Sequence, residues 1–393
     1  MLPNLSIKLQ NGALNRVAQS SDGVAGLILA GAGVEGKLEL NKAYQLASTR
    51  DLTTLGITEE NNPLVYKDVT AFYTKAGDRA ELHLLVVSAA TTLSQMCAVA
   101  DDSPVRKLIT SANGRIRLLG CNRLPADGYQ ASTDDTGIDA DAVAAGESLQ
   151  SLAGTFQSKI MPFGAILPGL LWNGTTDKLF KPREATYNGV QYTLAADAMI
   201  GETASAAVGL LLGTYASIPV YYNPGRPKNG VAIATGMLTD GKTPEEHDAI
   251  LDALHDAGYV IFRTFPGRNG YYFSDDPMAA PLSDDYSNMS LLRVINKAIV
   301  LAYNAYIDEI LDSVAVDENG YIPQPTCIYY QRLLETAVRT QMGDEISDFR
   351  VFIDPEQNLL SSSEMVVSCK IVPTATIRKI TVNLGFENPA LKQ

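Results

Sequence analysis

Gly236-Met237-Leu238-Thr239-Asp240-Gly241-Lys242-Thr243 fits the phosphate-loop pattern G-x-x-x-x-G-K-[ST] at every fixed position. It follows the apolar run "GVAIAT" and precedes "PEEHDAILDALHDAG", a helical stretch. The chemistry of such a loop is phosphoryl transfer: backbone N–H groups cradle phosphates, the lysine reaches the terminal ones, and the hydroxyl holds magnesium. A phosphate-loop NTPase using residues 236–243 is therefore the catalytic reading to weigh. Pro244 stands against it. A residue before proline is pushed out of the α region, so Thr243 leaves the helix whose first turn it would need to occupy. The same residues read better as a helix entry, with Thr243 as N-cap, Pro244 at the first helical position and Glu246 closing a T-x-x-E capping box. Asp240, Glu245 and Glu246 would also crowd a polyphosphate. Asp354, ending the strand-like "RVFID", is a candidate magnesium carboxylate of a type too common to rescue the loop.

A second glycine pattern, "GAGVEG" from Gly31 to Gly36, lies behind the apolar run "VAGLILA", with Asp51 near the spacing of a dinucleotide fingerprint. That fingerprint opens a helix at its third glycine, whereas "KLELNKAYQL" starts with strand-like alternation. A glycine-rich turn leaving a buried strand is the simpler account.

The remaining chemical residues are scattered. His247 and His255 stand eight apart on one helix, too far for a single metal, and their Asp neighbours suggest a solvated acidic face. His83 stands alone. Asp134-Asp135, Asp275-Asp276 and Asp284-Asp285 lack calcium-loop spacing and read as solvated loop carboxylates. Cys97, Cys121, Cys327 and Cys369 form no C-x-x-C and read as buried free thiols from a reducing compartment. No catalytic residue, metal site or cofactor is expected, and the chain is not expected to be an enzyme.

The elements that would carry these residues belong to a long chain. At 393 residues two domains are the default. Apolar residues at 46% and charged residues at 19% are ordinary for a globular protein. A net charge of -13 argues against nucleic acid as the main partner. No secretory leader or long apolar run is visible, so a soluble protein made in the cytoplasm, without membrane insertion, is expected. The most hydrophobic helix, 288–313, is interrupted by Arg293, Asn296, Lys297 and Asn304.

Buried strands are expected at 24–30, 81–88, 115–121 and 159–167, alternating with helices near 64–76, 91–112 and 138–158. That order suggests an open α/β sheet covered on both faces. Residues 202–217 read as one more packed helix, its small residues permitting close approach. The turn-rich segment 221–230 marks the expected boundary. Beyond it lie helix 244–257, strand 259–265, the long helix, helix 327–342 and three terminal strands (348–354, 364–372, 376–386), an α+β arrangement.

Both ends carry period-2 strand patterns: Leu5, Ile7 and Leu9 at one, Ile380, Val382, Leu384 and Phe386 at the other. Each end either docks on its own sheet or adds a strand to a neighbouring copy.

Read as a whole, the sequence resembles the contractile tail-sheath proteins of phages and injection particles, within the sheath-like branch of Bacteroides-type phages and contractile injection systems. Residues 22–58 resemble the sheath opening, a strand and Gly-rich turn followed by Asn41-Lys42 and closing on Leu55-Gly56-Ile57. Residues 69–87 resemble the next helix and strand, 267–303 the turn-rich entry to the inner domain's long helix, and 346–389 its final sheet, including the break at Val372-Pro373.

The resemblance implies an α/β outer domain (24–225) plus an α+β inner domain (226–380), with strand arms at 1–23 and 381–393. It implies a helical stack of hexameric rings around an inner tube, with arms exchanged between copies and contraction driven by energy stored in the extended assembly. The partners implied are other copies of the chain, the tube protein, and baseplate and tail-terminator proteins. Arg332 and Arg339, seven apart on helix 327–342, are candidates to face the tube; otherwise they are solvated charges paired with Glu335. An adhesin or capsid-like shell protein would also polymerise, without needing two arms.

Overall fold

The computed structural model describes residues 21–126 and 128–387. Contacts divide the chain into Met1–Ile307 and Asp308–Gln393.

The first unit runs β1 (Ala25–Gly31), β2 (Ala43–Leu46), α1 (Arg50–Thr54), α2 (Pro63–Ala76), β3 (Leu82–Ser88), α3 (Leu93–Met96), α4 (Pro104–Ser111), β4 (Leu118–Asn122), α5 (Ala140–Gln157) and β5 (Gly164–Pro168). It continues through β6 (Val190–Thr193), β7 (Ala195–Ile200), β8 (Thr203–Ala206), α6 (Val208–Ser217), β9 (Met237–Leu238), α7 (Leu251–Ala257), β10 (Tyr259–Val260), β11 (Phe262–Arg263), β12 (Tyr272–Phe273) and α8 (Met289–Tyr306). Seven strands form one sheet in the order β10-β6-β5-β4-β1-β3-β2, parallel except where β2 runs against β3. Strand β7 joins β8 and β9 in a small antiparallel sheet.

The apolar runs form strands because both faces of the sheet are covered. Ile28, Ala30, Leu85, Val87, Leu119 and Cys121 enter a core with α3, α4 and α5. Ala25, Leu27, Leu29, Leu84, Val86 and Leu118 enter another with α2 and α6. Strands buried on both sides lose the alternation of half-exposed ones, and each large side chain fully withdrawn from water contributes about 1.5–3 kcal/mol. Helix α6 crosses α2 at close range. A β-carbon on Gly213 would stand 2.4 Å from the Phe72 carbonyl oxygen, so glycine is required there.

Several expected elements differ. Helix 91–112 is two short helices, because Ser103 and Pro104 restart the chain with a new cap. Residues 203–206 pair with β7 as strand β8, and α6 begins only at Val208. The expected strand 259–265 is split, β10 joining β6 and β11 joining β12. The turn-rich segment 221–230 falls inside the first unit, since β9 and β10 beyond it pair with β7 and β6 before it.

The second unit holds α9 (Gln324–Met342), β13 (Ile346–Ile353), α10 (Leu359–Ser362) and β14 (Val367–Pro373). Strands β13 and β14 are antiparallel. A register irregularity between Ile346 and Asp348 puts Ile346, Phe349, Val351 and Ile353 on one buried face, and α9 buries Leu334, Val338 and Met342. The third terminal strand is not formed within this chain: residues 374–387 belong to no helix or strand.

Candidate assembly surface

The phosphate-like loop is a tight turn in which five backbone donors are already used. Leu238 N–H donates to the Lys242 carbonyl at 2.8 Å, Thr239 N–H to Leu194, and Gly241 N–H to Leu238. Lys242 N–H donates to Asp240 Oδ1, and Thr243 N–H and Oγ1 donate to Glu246 Oε2 at 2.8 and 2.9 Å. Thr243 is extended at the N-cap and Pro244 opens a 3-10 turn, the capped entry expected from the sequence. Those N–H groups cannot also hold a phosphate. Asp240 Oδ2 instead meets His247 Nε2 at 2.7 Å, and the His247 ring lies 4.8 Å from Trp172. His247 is thus buried packing, not part of a solvated face. In "GAGVEG", Val34 and Leu38 exchange two backbone bonds of 2.9 Å to close a turn, and no helix opens on Gly36.

The carboxylates at 275 and 276 are also buried, contrary to the solvated reading. Asp276 Oδ2 accepts from Ser290 N–H at 2.8 Å, and its Oδ1 accepts from Asn223 at 2.7 Å and Asn288 at 3.0 Å. It therefore caps α8 from a distant segment. Burial first, and then the neighbouring Asp275, raise its pKa to about 6. His255 Nε2 stands 3.5 Å from Asp275 Oδ2.

A second buried cluster was not anticipated. Lys67 Nζ lies 2.7 Å from Asp197, 2.9 Å from Asp68, 2.9 Å from Ser205 Oγ and 2.8 Å from the Ala206 carbonyl. Asp68 also accepts from Asn122 and from Gly209 N–H at the start of α6. Burial raises Asp197 to about 6 despite the adjacent lysine. The sequence carries one signal for it: Asp68 interrupts the apolar helical series Val65, Val69, Phe72. Lys67 and Lys75 both border a groove of about 890 Å³, but Lys75 donates to the Val231 carbonyl, so both ammonium groups are committed. Among the described residues, no group of three His, Cys, Asp or Glu is placed to hold a metal. No described helix is long and apolar enough to cross a membrane.

Most of the strongly exposed apolar side chains lie in the second unit, Leu282 of the first being 79% exposed as well. Ile380, Val382, Leu384 and Phe386 stand 77%, 68%, 92% and 112% exposed. Strand β14 is open as well: Cys369, expected to be buried, is exposed, while Cys97, Cys121 and Cys327 are buried. On α9, Arg332 and Arg339 are both exposed. Arg339 donates to the Phe349 carbonyl at 2.9 Å and lies 3.7 Å from Asp348, in place of the expected Glu335. Leu5, Ile7 and Leu9 lie outside the described residues.

Residues 2–277 match the family model of the DUF2586 N-terminal domain, and residues 285–391 that of the DUF2586 C-terminal domain. The chain belongs to the DUF2586 family. No curated protein matches it. Among solved structures, this DUF2586 chain is similar to the anti-feeding prophage helical sheath in its contracted state, at 13% identity and TM-score 0.62, over 98% of this chain and 99% of that one. The sheath complex of an extracellular contractile injection system, PVC, also contracted, gives 14% and 0.60 over 98% of each chain. A sheath tail protein from Listeria innocua gives 10% and 0.50 over 92% and 97%. This DUF2586 protein therefore has a contractile-sheath fold.

Proposed function

We propose that this chain is a structural, non-enzymatic subunit of a contractile sheath. The observation carrying the reading is a sheath fold that ends in an alternating apolar segment, exposed and outside every sheet of its own chain. A strand pattern of this kind is satisfied by the sheet edge of another copy, and head-to-tail addition of that type builds a filament. The N-terminal arm, with Leu5, Ile7 and Leu9, serves the same end. Copies stack as hexameric rings wound around a tube protein, with baseplate and terminator proteins at the ends. Arg332 and Arg339 are the tube-facing candidates. The protein is made in a bacterial cytoplasm and works in a phage tail or injection particle. Contraction draws on free energy stored in the extended assembly.

Negative-stain electron microscopy of the purified chain, with and without residues 1–10, tests this. Hollow, helically striated tubes that vanish on truncation while the monomer stays folded support it. Monodisperse particles in both samples overturn it.

A further inference from the structure

We propose that Cys97 and Cys121 are a latent oxidation site: hydrogen peroxide converts the pair to an intrachain disulfide that staples the α3 segment to the central strand β4. Their Sγ atoms lie 3.8 Å apart, both side chains are fully buried, and both belong to the core between the sheet and helices α3 to α5. A disulfide needs about 2.05 Å, so the sulfurs must close roughly 1.8 Å to form the bridge.

The two thiols differ in access. Cys121 sits between β1 and β5 in the middle of the sheet. Cys97 ends a four-residue helix, and Val99 and Ala100 just beyond it are exposed. The α3 segment is held by Asp141, which accepts from Leu93 N–H at 2.7 Å and from Ser94 N–H at 3.2 Å. Local opening there presents Cys97 and leaves Cys121 in place. The Cys121 contact and then burial keep the Cys97 thiol protonated while the segment is closed, so the pair is inert until it opens.

The chemistry balances with one peroxide. The Cys97 thiolate attacks a peroxide oxygen, the O–O bond breaks, and the departing hydroxide takes up the thiol proton as water. The resulting sulfenic acid is attacked by Cys121; the S–O bond breaks and a second water leaves. The bridge encloses the connection that carries α4 and restricts the unfolded chain accordingly.

The test uses the full-length chain with Cys369→Ser, which removes the exposed thiol. The protein is reduced, desalted, treated with a few equivalents of peroxide, quenched, and then denatured in iodoacetamide. The expected product has lost two hydrogens, yields a non-reduced peptide joining Cys97 to Cys121, reverts with reductant, and melts several degrees higher than the reduced form. With Cys121→Ala, dimedone should trap the Cys97 sulfenic acid. Alkylation of both cysteines after treatment, or oxygen addition without a bridge, overturns the site. A bridge that leaves the melting temperature unchanged overturns the staple.

Discussion

Asp68 accepts a hydrogen bond from the backbone N–H of Gly209 at 3.1 Å, and a β-carbon on Gly209 would lie 2.1 Å from the Asp68 carbonyl oxygen. One residue of α2 thus satisfies the start of α6 with its carboxylate and sets the crossing distance with its backbone. The close approach and the buried charge are one feature. It ties the covering helices to the sheet face that packs against them.

Gly209→Ala should therefore destabilise the first unit by about 2 kcal/mol or more, since overpacking against backbone outweighs the roughly 1 kcal/mol that alanine gains in a helix. Gly154→Ala in α5 should do the opposite, stabilising by about 0.5–1 kcal/mol, because its β-carbon would meet nothing within 4 Å. Urea denaturation of both variants checks the pair; equal effects would contradict the crossing argument.

Lys67→Met removes the cation between Asp68 and Asp197. Breaking a buried pair costs about 3–5 kcal/mol, so a large loss is expected at pH 7. The deficit should shrink at pH 5, where Asp197, already raised to about 6 by burial, takes a proton more readily without the lysine. A deficit that does not change with pH would show that Lys67 acts by packing alone.

Asp276 titrates near 6 when folded, against an ordinary value of 3.8. The folded state therefore binds more protons than the unfolded chain between those values. Its contribution is fully present below about pH 4 and declines as pH rises through about 6, by up to ~3 kcal/mol. Relative to Asp276→Asn, the wild type should lose stability between pH 4 and 6 and hold a constant difference above 7. Thermal melts of both proteins across that range decide it.

Leu384→Ser with Phe386→Ser should leave monomer stability unchanged within about 0.5 kcal/mol, because both side chains are solvent-exposed in the isolated chain. Sedimentation of the same variant should show loss of polymer if these residues complete a neighbour's sheet. Wild-type polymerisation in the variant would remove the C-terminal arm from the assembly.

Local chemistry made much of this protein legible from its residues. "VAGLILA" and "ELHLLVVS" are strands because a continuous apolar run must be covered on both faces, and Thr243-Pro244-Glu246 is a helix entry because its bonds span three residues. The alternation of Ile380, Val382, Leu384 and Phe386 is likewise plain, though whether its own chain would cover it is not. What tertiary structure decided was partnership over distance. Asp275, Asp276 and His247 look like loop or surface groups in sequence, and their partners at Asn223, Ser290 and Asp240 lie 7 to 53 residues away. Residues 203–206 carry helix-compatible small side chains but form a strand, because β7 offers an open edge beside them. Propensity and capping act within a few residues along the chain, whereas burial of a charge or pairing of an edge depends on which distant segments the fold brings alongside.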